Sequence, residues 1–230
     1  MFGIFTAIAG AVTSAISAVA TTIGPIVANV AKTVVTTLPK LLKLENLGQV
    51  IQIASNIVSG ISKILGLSQE NENTEELGAK AMQEDTRPQR PEESTEEYLG
   101  YLHSVPLDKE KYEKMSETEK MAATAIGTGL LMKNIYEKYH VSVTPEFIAA
   151  VHKTDINYEK AAQLIKAFEK NNISSTKDFA DYLGNNLSAD KVDGVSSAVK
   201  ETLKEMNPEA TATDINKEVI SMKQAYNKDA

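Results

Sequence analysis

The chain has 230 residues, a formal net charge of −7 and no cysteine. Disulfides, thiolate zinc sites and thiol nucleophiles are therefore excluded. The acidic balance, with no basic stripe interleaved with aromatics, argues against a nucleic-acid binder, and no specific nucleic-acid partner is expected.

Charge is unevenly spread. No ionisable side chain occurs from Met1 to Ala31, and residues 1–66 carry four lysines against Glu45. Between Ser68 and Glu97 stand ten acids against Lys80, Arg87 and Arg90. All eight tyrosines lie at or beyond Tyr98. These shifts divide the chain into an apolar segment (1–66), an acidic linker (67–97) and a soluble helical domain (98–230).

In the first segment Phe5, Ile8, Val12, Ile16, Val19, Ile23, Ile26, Val30 and Val34 recur at steps of three or four, the helical period. Ala, Ser, Thr and Gly fill the other faces, where a surface helix of a soluble protein would carry Lys and Glu. Burying nine such side chains is worth on the order of 10–25 kcal/mol against exposure. The ridge is accordingly expected to be covered by sister subunits, a host protein or lipid, and these nine residues are the candidate contact set. About thirty uncharged residues exceed the ~20 needed to span a bilayer core, but Gly24-Pro25 breaks the run midway. No positive charge follows Met1, so a secretory leader is not expected.

A second, amphipathic helix follows, with Leu47, Val50, Ile51, Ala54, Ile57, Val58, Ile61, Ile64 and Leu65 on one face and Gly66 at its end. Asn46 is its candidate cap. Between the helices, Pro39-Lys40-Leu41-Leu42-Lys43-Leu44 sets positive charge beside leucines, which suits a membrane interface or an acidic partner. In texture, though in no motif, the Gly/Ala/Ile/Val-rich start resembles the lipid-seeking termini of some minor capsid and pilot proteins.

The linker holds few large apolar residues, Leu77 and Met82, with Pro88 and Pro91 favouring an extended backbone. It is expected to be disordered or extended, with room for a short helix near Glu75–Gln83. Beyond it, helix signals follow in series. Ser116 and Glu119 form a capping-box pattern ahead of Met121–Tyr139. Thr144-Pro145 is a cap with proline at the first helical position. Asp155 or Asn157, Ser175, Ser188 and Thr213 or Asp214 start the rest.

Chemistry-bearing patterns are scarce. Gly127-Thr128-Gly129 lacks the remaining glycines of a nucleotide loop. His103, His140 and His152 have no ligand spacing, and no serine sits in a nucleophile elbow. No catalytic, cofactor or metal site is assigned, and an enzyme is not expected.

The expected fold is all-α: extended apolar N-terminal helices, an acidic disordered or extended linker and a small C-terminal helical bundle. The expected role is a structural or assembly component of a large particle, a virion or phage-tail-like body. It would form a homo-oligomer or bind other particle proteins through residues 1–66, with coiled-coil-like packing around an axis. Its place would be a virion or cytoplasmic assembly. The alternative is a membrane-active protein, a pore-former, toxin or virus-entry factor that inserts its N-terminal helices.

Overall fold

A computed structural model describes residues 2–228, with side chains from residue 6 onward. The fold is all-α, and among the described residues the one β-type pairing is an isolated bridge between Ser142 and Ser175. The apolar start forms α1 (Phe2–Ala18), α2 (Ala20–Ile23) and α3 (Pro25–Leu42). Gly24 and Pro25 make the second break as the sequence implies, with Pro25 at the first position of α3. The helix α4 (Leu47–Ile64) is capped by Asn46, whose side chain accepts from the Gln49 N–H at 3.0 Å. It ends with the Gly66 N–H bonded back to Lys63 O and the Leu67 N–H to Ser62 O, which satisfies the last carbonyls of the helix.

Next come α5 (Thr74–Met82), α6 (Thr95–Ser104), α7 (Lys109–Glu113) and α8 (Glu117–Tyr139). The capping box of Ser116 and Glu119 starts α8. Every residue from Ala122 to Met132 is buried, as are Asn134 and Ile135. A helix that is uncharged and small all round is suited to a core position, and α8 occupies one. It packs against α1, α3, α4, α5 and α6.

The covering that the Ile/Val ridge requires therefore comes from within the chain. Val12, Ile16, Ile23 and Val34 are fully buried, with α1 and α3 both lying on α8. Composition changes near residues 66 and 97, yet packing runs across both positions. One apolar cluster extends from Val12 to Met222.

The expectation of a disordered or extended linker is corrected. Its first part is helical, as α5, within a residue of the short helix that the sequence allows. The physical reason is a close helix crossing. A Cβ on Gly78 would lie 1.8 Å from the Ala123 carbonyl oxygen, and one on Gly127 would lie 2.0 Å from that of Thr74. Residues 74 and 78 thus face 127 and 123, one turn apart on each helix and in opposite directions. Only glycine permits that approach on both sides. Buried Ser55 and Thr74 share a hydrogen bond at 2.5 Å, tying α4 to the same crossing.

The rest of the chain forms α9 (Pro145–Thr154), α10 (Tyr158–Lys170), α11 (Lys177–Leu183), α12 (Ala189–Met206) and α13 (Ala212–Tyr226). Thr144 and Asn157 cap α9 and α10 through their side chains. The last helix begins two or three residues earlier than the sequence suggests, because Thr211 and Asp214 form its capping box. This group joins the N-terminal helices through α9 on α3 and α10 on α4. Phe147 and Phe179 meet edge-on inside it, with ring centroids 5.8 Å apart.

Candidate functional site: the outer face of the first three helices

The nine candidate contact residues divide into four groups. Val12, Ile16, Ile23 and Val34 are inside the chain's own core. Ile8, Val19 and Val30 are half-buried and pack on that core. Ile26 is 59% exposed. The Phe5 side chain lies outside the described residues. Most of the ridge is thus engaged, and Ile26 alone of the described set is turned to solvent.

The opposite side of the same helices is the more unusual surface. Ala7, Ala11, Ser14, Ala18, Thr21 and Pro25 are exposed. Ala7, Ala11, Ser14 and Ala18 follow at steps of four and three, so they form a row along α1, while Thr21 and Pro25 belong to α2 and α3. Exposed Gly10 and Ser17 flank the row, and Ile26 and Asn29 are exposed on α3. No ionisable side chain occurs before Lys32. The sequence assigns contact to the large residues of this segment and leaves the small ones to its other faces, although along α1 the small residues are spaced as regularly. Period alone shows two faces and does not say which is buried.

Besides the apolar docking on α8, polar contacts from residues 86–95 tie the end of α2 in place. Arg87 makes a two-pronged contact with Glu93, at 2.8 and 2.5 Å, and its guanidinium lies 4.0 Å from the centre of the Tyr101 ring. A planar cation on an aromatic face, with its fork filled by a carboxylate, is a strong exposed-to-half-buried arrangement. The Arg87 hydrogen bonds, helped by the Arg90 backbone N–H, hold the Glu93 carboxyl down at about 2. The Arg87 backbone N–H donates to the Tyr101 hydroxyl at 3.0 Å. Tyr98, fully buried and with its hydroxyl pushed up to about 12 by that burial, shares its one O–H hydrogen between the carbonyls of Thr22 and Arg87, each at 3.4 Å.

The Gln89 backbone N–H also donates to Thr22 O, at 3.0 Å, and its side chain accepts from Lys133 on α8 at 2.9 Å. Lys133 pairs with Glu137 at 3.3 Å, and Glu137 accepts from the Thr95 N–H and hydroxyl at 2.7 and 2.8 Å. Residues 86–95 therefore strap the end of α2 to α6 and α8. The sequence carried one readable sign of this, the Ser94 to Glu97 spacing, which forms a capping box at the start of α6.

His103 Nε2 meets the Glu72 carboxylate at 2.9 Å at a groove of about 200 Å³, while His140 caps α8 and is exposed. Among the described residues no group of three His, Asp or Glu is placed to hold a metal. Among the same residues no helix is long and apolar enough to cross a membrane. No family model, curated protein or solved structure matches the chain.

Proposed function

We propose that the protein is a structural component of a multiprotein particle, of virion or phage-tail type, whose copies meet through the outer face of α1 to α3. One observation carries this reading: an exposed row without charge along α1, from Ala7 to Ala18, on a chain of net charge −7. A two-fold contact sets a patch against a copy of itself, so an unbalanced charge in the patch is doubled at the contact and repels. An uncharged patch lets two acidic copies touch without that penalty. Its small side chains let helix backbones approach closely. The ridge beneath it, anchored on α8, gives the row a firm base.

The test is light scattering on the purified full chain beside an Ala11→Glu/Ala18→Glu variant. The wild type is expected to form a defined oligomer and the variant to be monomeric with an unchanged helical circular-dichroism signal. A wild type that stays monomeric at its solubility limit overturns the reading.

A second reading, contact with a lipid surface, is favoured by the end of α3. There Lys40 and Lys43 are exposed beside half-buried Leu41, Leu42 and Leu44. Flotation with phosphatidylserine vesicles tests it. Binding that Lys40→Glu/Lys43→Glu abolishes supports this reading, and no flotation removes it.

A further inference from the structure

A groove of about 640 Å³ lies between α4, the turn at residues 70–74 and the start of α10, apart from the outer face of α1 to α3. Gln52, Asn56, Ser59, Lys63, Asn71 and Tyr158 supply much of its lining. Two of the large apolar side chains that the fold leaves exposed meet there, Tyr158 at 42% and Ile64 at 47%.

Tyr158 is seated rather than free. A Cβ on Gly60 would lie 2.1 Å from its Cδ2 and 2.5 and 2.6 Å from Cγ and Cε2. That pattern sets the Gly60 position over the ring plane, because an edge-on approach would leave the two neighbouring carbons much farther away. One face of the phenol therefore rests on the α4 backbone. Glycine within a helix costs roughly 0.5–1 kcal/mol relative to alanine, and here its bare backbone is what gives the ring its seat.

Beside this platform, Gln52 Nε2 donates to Asn56 Oδ1 at 2.9 Å. Each amide has a second half, so Gln52 Oε1 and Asn56 Nδ2 remain as a neighbouring acceptor and donor. Ser59 and Tyr158, each with a hydroxyl, line the same groove. Lys63 is the only cation in the lining, and Glu70 and Glu72 are in it too. That charge balance suits neither a phosphate chain nor an acidic peptide. The Glu72 carboxylate is already bonded to His103 Nε2 at 2.9 Å, and Lys63 and Glu70 offset each other. The groove therefore suits a neutral ligand with one apolar face and a rim of hydroxyls. A pyranose ring has that form: its C–H face packs on an aromatic ring, and adjacent hydroxyls match a paired acceptor and donor.

We propose that this groove binds a neutral oligosaccharide, with one pyranose stacked on Tyr158 and two adjacent hydroxyls paired to Gln52 and Asn56. The site is independent of the assembly face, and each can fail without the other.

The test is a titration of the isotope-labelled full chain with maltotriose, mannotriose, galactotriose and chitotriose, followed by amide chemical shifts. At least one sugar is expected to give saturable shifts at Asn56, Gly60 and Tyr158. Tyr158→Ala and Gln52→Ala/Asn56→Ala are each expected to weaken that binding at least about tenfold, a difference of ~1.4 kcal/mol. Tyr158→Phe, which keeps the platform, retains most of it. The Ala11→Glu/Ala18→Glu variant binds as the wild type does. Absence of saturable shifts with all four sugars overturns the proposal. So does binding that survives Tyr158→Ala in a variant with native circular dichroism.

Discussion

α8 and α1 look alike as strings of residues and play opposite parts. Both have long runs without charge, and both are rich in Ala, Gly and Thr. From Ala122 to Met132 no residue of α8 is left at the surface. Among the described side chains of α1, Val12 and Ile16 are buried, Ile8, Ala9 and Ala15 are half-buried, and Ala7, Ala11, Ser14 and Ala18 are bare. An uncharged helix is thus not by itself a sign of lipid or of a partner. What separates the two is how many neighbours the rest of the chain supplies. α8 has helices on all sides, and α1 has them on one.

The comparison can be broken most forcefully at the α5–α8 crossing. Gly127→Leu would force a side chain onto the Thr74 carbonyl, and a loss of about 3 kcal/mol or more is expected. For a chain of this length that is a fall in Tm of roughly 6–12 °C. A wild-type melting curve for this variant would mean that α5 does not lie on α8. Ile16→Ala empties a fully buried site on the ridge, and chemical denaturation should register a loss of about 3 kcal/mol. Ridge residues that faced lipid or a partner instead would leave the isolated chain little changed.

Acid sharpens the comparison at the strap. The Glu93 carboxyl is lowered from 4.5 to about 2, chiefly by Arg87. A depressed folded-state value means that this stabilisation is full above about pH 4.5 and fades as the pH falls toward 2. The capping-box carboxylates Glu97, Glu119 and Asp214 are lowered as well, by their Ser or Thr partners, and act in the same direction. In Glu93→Gln the fall in Tm between pH 5 and pH 2.5 should be shallower than in the wild type, by a few degrees. Parallel curves would mean that Arg87 and Glu93 are not paired in solution. The smallest effect on stability is expected at the bare face: Ala11→Glu should shift unfolding by no more than about 0.5 kcal/mol, while reducing self-association in light scattering.

Local structure was the readable part. The caps at Asn46, Ser116 and Thr144 and the break at Gly24-Pro25 follow from turn chemistry that acts within four residues. The partner of the ridge was not readable, because α8 lies some hundred residues away and its own sequence carries only a weak apolar stripe. The strap was missed for a related reason. Arg87, Gln89 and Glu93 stand in a segment with almost no large apolar side chains, and such composition ordinarily predicts disorder. Here the segment is ordered by Tyr98, Tyr101 and Lys133, which sequence spacing does not bring to it. Gly78 gave no signal, since its role depends on the backbone of another helix. The groove at Tyr158 was equally hidden, because Gly60 and Tyr158 belong to different helices.

The docking of α1 and α3 on α8 also has a consequence during synthesis. The ridge leaves the ribosome about a hundred residues ahead of the helix that shields it. At roughly 5–20 residues per second, that leaves it without its final cover for about 5–20 s in each newly made chain. A nascent chain with such an interval is a natural client for a holding chaperone, whatever the finished molecule goes on to join.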